Sequence, residues 1–166
     1  MTNKRDKFPG FAPGSTTMIH LPESFFSDLL PLVDNLAELK LLLFCFWALP
    51  QKEGNFRYLH RDDFTGSKTL MRALAATDEA NDPLVILDAA VASAVKRGAL
   101  LSAEITGDNP RQTLYFVNTE RGRTAVAQIK AGAFNPGDED HTIEILPPRP
   151  TIYRLYEDNI GPLTPL

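Results

Sequence analysis

One cysteine and three histidines are all this chain holds of the residues that most often ligate metals or carry redox chemistry. With Cys45 alone, no internal disulfide can form, and its place in an apolar helical run makes it a core thiol rather than a nucleophile. His20, His60 and His141 stand apart, with no His or Cys partner at ligand spacing, which argues against a zinc site. Asp138-Glu139-Asp140-His141 lacks the glycine turn and ligand spacing of a calcium loop and reads as a solvated acidic loop. No serine sits in a Gly-x-Ser-x-Gly elbow, and no glycine loop carries the Lys-Ser/Thr of a phosphate-binding loop. Asp62 and Asp63 beside His60 suit a helix start, where acidic side chains cap and meet the dipole. The expectation is a protein with no catalytic residues, no cofactor and no metal.

Long apolar runs are missing too. A membrane span needs about 20 consecutive apolar residues, and the strongest run, residues 41–49, is far shorter. The first residues lack the apolar core of a secretory signal, so the expected location is the cytoplasm. Net positive charge is also absent: 17 basic residues face 21 acidic ones, a net charge of −4. A domain that grips DNA alone usually shows a basic stripe that displaces counterions from phosphates. Bulk electrostatics here favour protein partners.

What is present reads as one domain with tails. Residues 1–15, with Pro9, Gly10, Pro13 and Gly14, form a flexible arm in which Phe8 and Phe11 suit docking. Residues 16–20 read as a short strand. Pro22 then starts a short helix that buries Phe25, Phe26, Leu29 and Leu30 and ends or kinks at Pro31. The clearest element spans 36–49. Asn35 is its N-cap and Glu38, three residues on, completes a reciprocal capping box. Its body is apolar on every side, so it needs cover on every side, and a subunit interface follows. Trp47 suits a core or an interface equally. The expected interface residues are Leu42, Phe44, Phe46 and Trp47 here, with Leu84 and Ile86 on a later helix.

Beyond a turn at 51–55, residues 56–59 read as a strand, and 61–65 and 67–75 as two short helices or one broken at Gly66. Asp82-Pro83 caps and starts a helix that stops at Gly98. Residues 100–105 and 113–117 pair as strands around a turn at 107–110, and Thr119 caps a last helix. Residues 133–150, rich in Pro, Gly and acids, read as a linker. An amphipathic stretch with Ile152, Leu155, Tyr156 and Ile160 follows, broken at Gly161-Pro162. Leu163-Thr164-Pro165 then sets up a further helix, so residues 1–166 read as the front of a longer protein, with 151–166 opening a second helical domain.

This order is mostly α with a small β wing (α+β): a winged helix-turn-helix over residues 16–132, with extra helices before and after. Residues 83–97 take the recognition position and 99–118 the wing. Base reading needs Arg, Lys, Asn or Gln pointing outward. This helix is mostly Ala, Val, Leu and Ile, with Lys96 and Arg97 only at its end, and the wing adds Arg111. Those three are the candidate weak DNA contacts. A helix packed in a core or a subunit interface is the better reading.

Leu155-Tyr156-Glu157-Asp158-Asn159-Ile160-Gly161-Pro162-Leu163-Thr164-Pro165 resembles the opening of the C-terminal domain in the DnaD-like family of bacterial primosomal replication proteins. Ile19-His20-Leu21-Pro22, Phe25-Phe26, Leu29-Leu30-Pro31 and Asp34-Asn35-Leu36-Ala37-Glu38-Leu39-Lys40 resemble the N-terminal winged-helix domain of that family. The resemblance implies replication initiation by primosome assembly. It implies that this part self-associates as a homodimer or larger and contacts initiator and helicase-loading proteins. DNA binding would fall mainly to the C-terminal domain. A phage-type replisome organiser has a similar mechanism. The alternative of another class is a dimeric winged-helix transcriptional regulator that binds DNA.

Overall fold

The computed structural model describes residues 8, 10–14, 17–105 and 111–134. The expectations for the turn at 107–110, most of the linker, the segment 151–166, His141 and the acidic loop lie outside the described residues, as does most of the arm.

Among the described residues, five α-helices and a hairpin form the body of the domain. They are α1 (Leu36–Ala48), α2 (Arg61–Thr65), α3 (Lys68–Ala75), α4 (Pro83–Arg97), β1 (Leu100–Ile105), β2 (Gln112–Val117) and α5 (Glu120–Lys130). β1 and β2 pair antiparallel from Leu100 opposite Val117 to Ile105 opposite Gln112. Leu59 joins β2 by a single bridge to Tyr115, with both N–H···O distances at 2.9 Å. Helix, bridge, helix pair, helix, hairpin, helix is the winged helix-turn-helix order, with α5 added at its end. The strand expected at 56–59 shrinks to that one bridge, because only Leu59 meets β2 squarely and is buried.

Local chemistry starts and stops these elements. The Asn35 side chain accepts from the N–H groups of Ala37 and Glu38 at the head of α1. Ser67, Asp82 and Thr119 cap α3, α4 and α5 in the same way. Gly98 ends α4 at φ +81°, a left-handed conformation that side chains resist. Gly122, in the first turn of α5, lies so close to β2 that a Cβ would overlap the Val117 carbonyl oxygen.

The main core gathers Leu41, Leu42 and Cys45 of α1, Leu70 and Leu74 of α3, Leu87, Ala90 and Ala94 of α4, with Leu59 and Phe64. A smaller core under the hairpin joins Leu114 and Phe116 to Ala125 and Val126 of α5, and Phe134 rests on it.

Four sequence expectations need correction. Residues 17–20 form no strand; they are irregular and exposed. The helix expected after Pro22 is a π-type turn, Phe25–Leu29, running into a 3-10 turn, Leu30–Leu32, that contains Pro31. Phe25 alone is buried there, by an edge-on contact with Phe46, while Phe26 and Leu30 face outward. The reciprocal half of the capping box at Asn35 is absent, because the Glu38 carboxylate is committed to Arg97.

Candidate interaction surface

In winged helix-turn-helix domains that bind DNA, the helix in the position of α4 and the wing meet the duplex, so the outer surface of α4 and the hairpin is the first place to look for a site. A cleft of about 490 Å³ lies there between α4, α2 and the hairpin. Arg61 of α2 closes one end with a fork on Asp88 of α4: Nη2 reaches Oδ1 at 2.8 Å and Oδ2 at 3.0 Å. This pair is half exposed and cancels its own charge. Tyr115 lines the same cleft. Burial pushes its phenol up; Arg61 opposes and Asp88 adds to the rise, so the hydroxyl stays protonated at neutral pH.

The outward positions of α4 are Leu84, Val85, Asp88, Ala89, Ala92 and Lys96. None offers the amide or guanidinium fork that reads a base edge. Lys96 is exposed at the cleft without an ion-pair partner among the described residues. Arg111, on the hairpin, is exposed with Glu104 at 3.8 Å.

Arg97 is a correction. It does not face a ligand but turns inward, from the end of α4 to the start of α1. Its Nε donates to Glu38 Oε1 at 2.8 Å and its Nη2 to Asp34 Oδ1 at 2.9 Å, while Nη1 donates to the Leu32 carbonyl. Glu38 has no solvent exposure at all. The guanidinium is held charged first by the Glu38 hydrogen bond, and its pKa rises above the ordinary arginine value.

The expected interface residues divide. Leu42 and Ile86 are also corrections: they are buried in the chain's own core, at 0 % and 8 % exposure, because they point at the helices packed beside them. Phe44 and Phe46 are half-buried, with rings against Phe64 and Phe25. Trp47 and Leu84 are exposed, at 46 % and 43 %. Leu36 and Leu43, which the sequence pattern does not single out, are exposed as well. Positions 36, 43 and 47 fall within roughly 40° of one another around a helix and span about 16 Å of its length. Among the described residues they form one exposed apolar row on α1, beside Lys40, whose ammonium donates to the Ala73 carbonyl of α3 at 2.7 Å. A helical-wheel reading of α1 finds this row only once its covered faces are known.

Other polar groups have structural work. Asp63 accepts the His60 N–H at 2.8 Å and the Lys52 ammonium at 2.6 Å. Burial would raise its pKa, but the Lys52 and His60 hydrogen bonds outweigh burial and hold it below the ordinary carboxylate range. Cys45 is fully buried, and desolvation pushes its thiol up to about 12. Among the described residues no group of three or more His, Cys, Asp or Glu is placed to hold a metal ion, and no helix is long and apolar enough to cross a membrane. No protein-family model, curated protein or solved structure matches this chain.

Proposed function

We propose that this chain is an assembly and protein-interaction domain of a DnaD-like primosomal replication protein, working in the cytoplasm without catalysis or cofactor. The observation that carries the reading is the row Leu36, Leu43 and Trp47 on α1, exposed among the described residues. An apolar row of this kind on a small domain is the surface signature of a partner. Support also comes from α4, whose outward face offers apolar side chains, one aspartate and, near its end, Lys96, where a DNA reader would place several Arg, Lys, Asn or Gln. In this reading the chain associates with itself and with initiator and helicase-loading proteins. DNA contact falls mainly to the family's second domain.

Light scattering on the purified chain at tens of micromolar tests the proposal. The expected mass is a dimer or larger, and Leu43→Glu should lower it to a monomer with an unchanged melting temperature. A strictly monomeric wild-type chain overturns the self-assembly reading.

A further inference from the structure

Where the end of α1, residues 55–57 and the first turn of α5 meet, a second pocket of about 200 Å³ opens. Its apolar floor includes Phe46, Leu49 and Phe116, and its rim carries Arg57 and Arg121. Both arginines are exposed. Among the described residues neither side chain makes an ion pair or a hydrogen bond, as is also true of Arg72, whereas Arg61, Arg97 and Arg111 reach carboxylates and Arg123 reaches Asn118.

Arg121 is placed against local electrostatics. It sits in the first turn of α5, where the helix dipole favours anions and a cation is unfavourable. Glu120, its neighbour in sequence, does not pair with it. Two uncompensated guanidinium groups beside an apolar hollow leave a positive rim in a chain whose net charge is −4. A carboxylate on each would satisfy them, because arginine binds carboxylates through a planar fork.

Size decides between ligand classes. Pockets for small organic ligands run to about 300–1,000 Å³. At about 200 Å³ this hollow falls below that range and takes one large side chain. We propose that it captures an acidic segment of a protein partner, with a single aromatic or long aliphatic side chain in the hollow and flanking carboxylates on Arg57 and Arg121. The proposal rests on the assembly reading insofar as the ligand is a protein.

The probe is a fluorescein-labelled pentapeptide with one phenylalanine between two pairs of acidic residues, titrated with the 166-residue chain and followed by anisotropy. Saturable binding is expected, weakened about tenfold or more by Arg57→Glu or Arg121→Glu, since each removes charge-assisted hydrogen bonds. A peptide with amides for carboxylates, and one with alanine for phenylalanine, should both bind more weakly. Both arginines are exposed, so equal melting temperatures serve as the folding control, and Arg57→Gln and Arg121→Gln replace any variant that fails it. No saturable binding, an affinity unmoved by these variants, or equal affinity for the amide peptide overturns the proposal. Mass is read on the same samples. A monomer that still binds the acidic peptide keeps the pocket and removes self-assembly. An oligomer that ignores the peptide removes the pocket and leaves assembly standing.

Discussion

Arg97 and Glu38, 59 residues apart in the chain, meet through two hydrogen bonds: Nε to Oε1 at 2.8 Å and Nη2 to Oε2 at 3.1 Å. The contact ties the last turn of α4 to the first turn of α1, and Asp34 and the Leu32 carbonyl each take one further donor. A carboxylate with no solvent exposure depends on such a partner, because an unpaired buried charge is strongly unfavourable. Arg97→Ala should therefore destabilise the domain more than any other single replacement of an exposed or half-buried cation. Adding Glu38→Leu to Arg97→Ala should restore part of the loss, since it removes the orphaned charge. Urea denaturation of the two single variants and the double variant measures this. Strict additivity would show that the pair contributes nothing as a pair.

Neighbouring leucines on α1 should behave in opposite ways. Leu42 has no exposure and sits in the main core, whereas Leu43 is 42 % exposed in the open row. Leu42→Ala should cost about 2–5 kcal/mol, the usual range for a buried leucine. Leu43→Ala should change stability by less than about 0.5 kcal/mol, as ordinary surface substitutions do. Differential scanning calorimetry of both variants below the association concentration separates core from surface, and similar losses at both positions would contradict the assignment of faces.

This contrast shows what was legible in the sequence. The N-cap at Asn35, the Asp82-Pro83 start, the Gly98 stop and the pairing of β1 with β2 rest on contacts between near neighbours, and each sits where the sequence predicts. The faces of α1 do not. A helix apolar all round carries no periodic signal to say which side meets α3 and α4, so its sequence points to Leu42 at an interface and does not single out Leu36 and Leu43. Glu38 fits the capping-box spacing, but its long-range partner wins, since one Arg97 guanidinium offers two charge-assisted hydrogen bonds. Phe26 and Leu30 have helical spacing, yet the backbone winds as π and 3-10 turns, which rotates them off the buried face.

Acid should weaken the junction at the start of α2. The Asp63 carboxylate holds Lys52 and the His60 amide, and its folded pKa lies below the ordinary value. Above the unfolded carboxylate pKa of about 3.9 its full contribution to stability is present. It is lost as pH falls from there through the lower folded value. Asp63→Asn should flatten the acid limb of a stability-versus-pH curve measured by chemical denaturation. Superimposable curves for wild type and variant would remove Asp63 from the account.

Cys45 gives a probe of global opening. Its thiol is buried and stays protonated until about pH 12, so the reactive thiolate is scarce and inaccessible in the native state. Labelling by a thiol-reactive dye at pH 8 should be slow and should accelerate with urea in step with unfolding. The sign of the linkage also follows. Between the ordinary thiol value of 9.0 and about 12, the unfolded state releases a proton that the folded state keeps. Stability should therefore fall as pH rises, by at most about 1.4 kcal/mol per unit from this group. Rapid labelling of the native protein would show that α1 opens locally.

Binding to DNA should be weak and indifferent to sequence. Lys96 is the one cation of α4 left facing the cleft, since Arg97 is turned to Glu38 and the Arg61 charge is cancelled by Asp88. Sites that neutralise many phosphates show steep salt dependence, with a slope near −0.9 for each phosphate contacted. One or two contacts predict a slope shallower than about −2 and an affinity no tighter than roughly 1 µM at physiological salt. Lys96→Glu should abolish what binding there is. Arg97→Lys, which preserves a charge at the α1–α4 junction, should leave it unchanged. Anisotropy titrations on unrelated duplexes at several salt concentrations provide the measurement. Nanomolar binding with a sequence preference would overturn the assembly reading and favour a winged-helix transcriptional regulator instead.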